Sequence, residues 1–199
     1  MTNDLTRRSL LARVRDANDV AAWSEFESTY RELITRYARA RGLQPADADD
    51  VCQSVLLKLF RTIRSFEYDT AKGRFRSYLH RMVKNEIVDQ FARPNRPTTT
   101  VDQSVLRDGS VDTGTDEVWE REWENHHFRL AMQTIRRTFD EQSVRVFDQL
   151  VAGQPVDAVA AAFATTTQAV HKIKQRIRDR MKELIARQIA EEDDPSAAS

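Results

Sequence analysis

The chain has 199 residues, 31 of them Lys or Arg and 31 Asp or Glu, with a single cysteine and five each of glycine and proline. That length holds one ordinary domain or two small ones, and the lone Cys52 excludes an internal disulfide framework and any multi-cysteine zinc site. No apolar run approaches the ~20 residues of a membrane span, and MTNDLTRRSLLARVRD lacks the apolar stretch of a signal peptide, so a cytoplasmic protein without membrane insertion is expected.

The zero formal charge hides an uneven distribution. Residues 1–93 carry 17 basic against 13 acidic side chains and residues 118–190 carry 12 against 9. The stretch 94–117 has 2 against 5, and the tail 191–199 has none against 4. Two mildly basic bodies, each followed by an acidic segment, are compatible with polyanion binding that the total does not suggest.

Helical periodicity dominates, and no stretch alternates as a strand would. A short helix near Arg7–Arg15 precedes Asp19, the predicted N-cap of a long helix that carries Trp23, Phe26, Tyr30, Leu33, Ile34 and Tyr37 inward and stops at Gly42. Pro45 and Asp47 open a third helix, from Ala48 to about Ile63, with Cys52, Val55, Leu56, Leu59 and Ile63 as its buried stripe. Cys52 there reads as a small core residue. Leu57 falls about 140° from the centre of that stripe, beside Asp50, Gln53 and Arg61, with Phe60 at the boundary. An apolar patch among acidic and amide groups suggests a docking surface for another protein; the alternative is a neighbouring helix or the linker lying over it.

The loop SFEYDTAKGR, from Ser65, leads to a fourth helix, Phe75 to about Ala92, ended by Pro94 and Pro97. Its inward side is Phe75, Leu79, Met82, Val83 and Ile87, and its outward side Ser77, Arg81, Lys84 and Asn85. Phe66 and Tyr68 interleave with Lys72, Arg74 and Arg76, a mixture suited to unpaired nucleic acid because aromatic faces stack on bases while cations follow the backbone. A core aromatic at Phe66 within an ordinary solvated loop accounts for the same composition.

Residues 94–117, rich in Thr, Asp, Ser and Gly and without an apolar period, read as a flexible linker. Helices resume at Val118 and again at Asp140, the second closed by Gly153; Pro155 then opens a short Ala-rich helix, Val156–Phe163. Next comes TTTQAVHKIKQRIRDRMK, which has six basic side chains and one acid, Asp179, between Lys172 and Lys182. Val170, Ile173, Ile177, Met181 and Leu184 share one stripe, while Gln168, His171, Lys172, Gln175 and Lys182 lie roughly opposite, flanked by Arg176 and Arg178. Small residues Ala160, Ala161 and Ala162 allow a close crossing, and Thr165–Thr167 offer hydroxyl caps, so the pair reads as a helix-turn-helix. Ala164 stands in the turn where glycine is common. Gln168, His171, Lys172 and Gln175 suit base edges, Thr167 is placed to hold a phosphate at the helix start, and Arg176 and Arg178 would reach phosphates or guanines. A merely solvated amphipathic helix is the competing reading. The fold class expected is all-α: two small helical domains, 1–93 and 118–190, a flexible linker, and a disordered acidic tail, 191–199.

These elements, in this order, resemble an RNA polymerase sigma factor of the extracytoplasmic-function (ECF) type from Asp19 to about Arg187. DADDVCQSVLLKLF, from Asp47, is similar to the family's region 2.2, an acidic helix that grips the β′ clamp helices; Asp50 and Gln53 match, and Ser54 stands where the family has Glu. GRFRSYLHRMVKNEIVD, from Gly73, resembles the family's "FxxWLxRIAxN" signature with Tyr78 in place of Trp. Phe66, Arg81 and Asn85 fall on family positions near the pocket for a flipped base of the minus-ten element. The second domain resembles region 4, which reads the minus-thirty-five element; the family often has Arg at the position of His171 and an aromatic at that of Gln175, while Arg176 and Arg178 match. The EREW stretch, with Trp119 and Trp123, looks like divergent, planctomycete-type members, and nothing similar to region 3 is present.

The resemblance implies a non-enzymatic initiation factor. Asp50, Gln53, Leu57, Phe60 and Arg61 would bind polymerase, and Phe66, Tyr68, Lys72, Arg74, Arg81, Lys84 and Asn85 the minus-ten element. Its implied partners are core RNA polymerase, through the β′ clamp helices and β flap, and promoter DNA, with room left for an anti-sigma factor. A plain helix-turn-helix regulator without sigma activity is the alternative. An enzyme is the more distant rival: Glu122, His126 and His127 have metal-ligand spacing, but no third ligand or acid/base set accompanies them. A solvated helix face is expected there, with no catalytic residue, metal or cofactor.

Overall fold

The computed structural model describes residues 10–63, 75–92 and 116–193. Among them are eight helices and no strand: α1 (Leu10–Arg13), α2 (Val20–Ala40), α3 (Pro45–Thr62), α4 (Phe75–Ala92), α5 (Glu117–Thr138), α6 (Glu141–Val151), α7 (Val156–Ala162) and α8 (Thr167–Asp193). The all-α expectation holds. Residues 7–9 of the expected first helix, the loop 64–74 and most of the expected linker lie outside the described residues.

Helix α2 begins where the sequence says it should. The Asp19 carboxylate accepts from the Ala22 amide at 2.8 Å and from Arg13, whose guanidinium also reaches Glu25. Phe26, Tyr30, Leu33, Ile34 and Tyr37 recur at helical spacing and are buried. Past the last turn, Gly42 adopts φ +96° while the Leu43 amide returns to the Ala38 carbonyl, a left-handed stop that glycine adopts at least cost. Pro45 then opens α3 at a position whose amide needs no partner.

Helices α2, α3 and α4 pack about one aromatic and aliphatic core. Phe26, Tyr30 and Phe75 meet with ring centroids 4.6–6.0 Å apart. Val51, Cys52, Val55, Leu59 and Ile63 enter the core from α3, and Leu79, Val83 and Ile87 from α4. Trp23, Leu56 and Met82, all expected inward, pack at its edge only partly buried. Burial pushes the Cys52 thiol up to about 11, so it stays neutral and packs as a small apolar residue.

Two polar residues of α4, Glu86 and Gln90, are buried as well. Glu86 accepts from Ser54 and pairs with Lys58, and Gln90 donates to Asp47 at 2.9 Å. These polar bonds knit α3 to α4 alongside the apolar seam.

The described residues divide into two units, one running to His126 and including the end of α8 from Ala190, the other His127–Ile189. The division thus falls after His126 rather than before Val118, because Trp119 and Trp123 are buried in the core that α2 and α4 build. Asp116 and Glu117, expected in the linker, are a helix-capping acid and the first residue of α5. The acidic tail also needs correction. Helix α8 continues to Asp193, and the Glu192 carboxylate accepts from the Tyr30 hydroxyl at 2.6 Å.

In the second unit, Ala131, Met132 and Ile135 of α5 pack with Val144 and Phe147 of α6 and Ile177, Met181 and Leu184 of α8. A smaller core joins Val146 of α6, Val159 and Ala160 of α7, and Val170 of α8. Four helical segments close on themselves there.

Candidate nucleic-acid and partner interfaces

On α3 the pattern of burial leaves one continuous exposed stripe. Asp50, Gln53, Leu57, Phe60 and Arg61 are all exposed, and at about 100° per residue they span roughly a third of the helix circumference. No described helix covers Leu57, which is 51% exposed, or Phe60, at 43%. Phe60 is the less free of the two, since its ring lies edge-on to Trp23 at 4.9 Å. Ser54, the residue standing in for the family's Glu, is only partly exposed and donates to Glu86 on α4. The departure from the family pattern therefore serves the α3–α4 seam.

On α4, Ser77, Arg81 and Asn85 are exposed in successive turns, and Lys84 is partly buried beside them. Phe66, Tyr68, Lys72 and Arg74 lie outside the described residues. Arg76, grouped with them in the sequence, pairs with Glu120 and lies 5.3 Å over the Trp123 ring. It packs against α5 as a cation.

The turn between α7 and α8 has the expected form. The amides of Ala164 and Thr165 return to the carbonyls of Ala161 and Ala160, and Ala164 takes φ +48°. This is a left-handed helix stop built with a residue that carries a Cβ, which costs an L-residue roughly 1–2 kcal/mol. Ala164→Gly is accordingly expected to raise stability by about 0.5–1 kcal/mol, the relief exceeding glycine's added unfolded-state entropy; a denaturant titration reads it directly. Of the three alanines expected to permit the crossing, Ala160 alone is buried, and Ala161 and Ala162 are exposed. One small residue at the contact suffices.

Helix α8 is capped by Thr166, whose hydroxyl accepts from the Ala169 amide at 3.1 Å. Thr167, Gln168, His171, Lys172, Gln175, Arg176 and Arg178 are all exposed, while Val170 and Ile177 are fully buried. The face that sequence reasoning singled out is therefore available to a ligand. Gln175 is engaged along its own helix, its amide donating to Asp179 at 2.8 and 3.0 Å. Arg176 turns aside toward the start of α6, where it donates to the Ser143 hydroxyl at 3.1 Å.

The expected solvated face of α5 is absent: Glu122, His126 and His127 are buried. Glu122 accepts from Arg36 at 3.4 Å, His126 stacks on Tyr30 at 5.4 Å, and His127 Nδ1 lies 3.0 Å from the Gln188 amide oxygen. They are fold contacts with separate partners. Among the described residues no three His, Cys, Asp or Glu side chains gather as metal ligands. No described helix is long and apolar enough to cross a membrane.

Sequence reasoning missed one cluster. The Asp116 carboxylate accepts from the Tyr37 hydroxyl at 2.6 Å, lies 3.0 Å from His80 Nε2, pairs with Arg41, and takes the Trp119 amide at 3.0 Å. Burial alone would raise its pKa, but bonds from His80, Arg41, Tyr37 and the Trp119 amide outweigh this and hold the carboxyl far below the usual carboxylate range. Burial first, and then the bond to Asp116, push the Tyr37 phenol up, against Arg41, which lowers it. His80 stacks on Trp119 at 4.8 Å, completing a joint between α2, α4 and the start of α5. The signal available in the sequence was an Asp just ahead of a helical pattern, an N-cap signature.

The family model for sigma-70 region 2 matches residues 28–96, which cover most of α2 and all of α3 and α4. Among solved structures, the chain is similar to CnrH in its complex with the cytosolic domain of CnrY. That likeness has 18% identity, covers 89% of this chain and 95% of that one, and gives a TM-score of 0.36. No curated protein matches the chain.

Proposed function

We propose, for a chain whose residues 28–96 match the sigma-70 region 2 model, that it is a sigma factor of transcription initiation, of the ECF type, which brings core RNA polymerase to two-part promoters. The observation that supports this most is the region 2 match falling on the three helices that leave the α3 stripe exposed. Asp50, Gln53, Leu57, Phe60 and Arg61 form the surface offered to polymerase. Its apolar centre and polar rim are the anatomy of a protein interface.

Arg81 and Asn85, with Lys84 beside them, serve the minus-ten element together with Phe66, Tyr68, Lys72 and Arg74. Extracting a base from the duplex costs a few kcal/mol, which a stacking pocket and a cationic backbone track offset. On α8, Gln168, His171 and Lys172 face the duplex of the minus-thirty-five element, with Thr167, Gln175 and Arg178 around them. His171 and Gln175 replace residues common in the family, so the preferred upstream sequence departs from the family's. The chain supplies no catalytic group, and phosphodiester chemistry belongs to polymerase.

Reconstitution with core polymerase and run-off transcription on a genomic promoter library tests the reading. Transcript starts are expected to share a motif in two parts upstream. Sequence-specific binding by the chain alone, with no polymerase association, would instead identify a helix-turn-helix regulator. A regulating anti-sigma partner would register in the same assay as loss of transcription on its addition.

A further inference from the structure

Among the seven side chains of α8 assigned to the reading face, Arg176 alone is tied to another helix by a described hydrogen bond, ion pair or ring contact. Its guanidinium donates to Ser143 Oγ at 3.1 Å, lies 3.5 Å from Asp140 Oδ2, and sits 5.2 Å over the Phe139 ring. These partners cluster at the start of α6, where Asp140 is the N-cap and accepts from the Ser143 amide at 2.8 Å. Helix geometry explains the direction. At about 100° per residue Arg176 lies roughly a quarter turn from the centre of the reading face and a similar angle from the buried stripe of Ile173, Ile177 and Met181.

We infer that Arg176 is a positioning residue, setting the roll of α8 against the N-terminus of α6, and that it reads no base. The inference rests on α8 being the duplex-reading helix. An apolar stripe alone resists rotation of a helix weakly, because apolar contacts have no preferred direction. A planar guanidinium held by a hydroxyl, a carboxylate and a ring at one helix edge has a direction, and fixes which side chains point outward.

The test is a holoenzyme binding assay on promoters randomised over the upstream element, with wild type, Arg176→Ala, Ser143→Ala and the double variant at several salt concentrations. Arg176→Ala is expected to weaken binding by about fivefold or less, the scale of an exposed ion pair, equally for every sequence. Its base preferences and salt slope stay those of wild type, and the double variant is no weaker than Arg176→Ala alone. Loss of preference at one base position overturns the inference in favour of base reading. A salt slope smaller by about one assigns a phosphate contact and overturns it too. Additive losses, or no loss at all, remove the coupling to Ser143 on which it stands. Should wild-type holoenzyme select no upstream element, the duplex-reading assignment of α8 falls first, and that outcome is visible before any variant is compared.

Discussion

Replacing Asp116 by alanine is expected to lower the stability of the first unit by about 3–5 kcal/mol, as breaking a buried ion pair from one side does. The Asp116 side chain is 6% exposed and that of Arg41, its ionic partner, 15%. Removing the carboxylate leaves Arg41 with the Tyr37 hydroxyl at 3.3 Å as its remaining bond in the cluster. The Trp119 amide loses its cap as well, which by itself costs ~1 kcal/mol. Asp116→Asn separates the two contributions, since an amide oxygen can still accept from Trp119 but brings no charge to Arg41. Acid gives an independent check. The folded-state pKa of Asp116 lies below its unfolded value, so its contribution is fully present above about pH 4 and is lost only as pH falls below that. Denaturant titrations of wild type and Asp116→Asn should therefore converge on acidification and stay parallel between pH 5 and 8 in this respect. An alanine variant within about 0.5 kcal/mol of wild type would remove the cluster from any account of stability.

This cluster also shows where sequence reading stops. The helices α2, α3, α4 and α8 were legible because each repeats apolar residues at 3.6-residue spacing and is bounded by a local signal: Asp19, Gly42, Pro45, Pro94 or Thr166. Such signals lie within a few residues of what they determine. Asp116 meets Tyr37, Arg41 and His80 from dozens of residues away, and its one local signal, an acid just ahead of a helix, marks a cap and none of those partners. Helix α5 was misread for a related reason. Trp119, Glu122, Trp123 and His126 form its buried face, and half of those residues are polar types that a hydropathy pattern assigns to solvent. Their burial is permitted by Arg36 and by stacking on Tyr30, both supplied by α2. Glu86 repeats the lesson on α4, buried because Ser54 and Lys58 of α3 satisfy it. The interfaces proposed for partners were more legible than these joints, since an exposed face is defined by the residues of one helix alone.

Leu57→Asp is expected to abolish co-purification with the polymerase β′ subunit while the fold survives. The stripe Asp50, Gln53, Leu57, Phe60 and Arg61 has Leu57 near its centre, and a central apolar residue in an interface is where truncation alone costs 2 kcal/mol or more, about thirtyfold in affinity. A carboxylate there adds the cost of burying an unpaired charge, which takes the loss beyond detection in a pull-down. The folded chain has little to lose. Leu57 is half exposed on the helix, and Asp is poorer than Leu in a helix interior by only about 0.5 kcal/mol. Unfolding of the variant should thus track wild type to within ~1 kcal/mol, separating a lost interface from a lost fold. Phe60 would not serve the same purpose, because its ring also packs on Trp23 and its replacement would disturb both. Normal retention of β′ by a folded Leu57→Asp chain would show that polymerase docks elsewhere, and the exposed α3 stripe would then need another occupant.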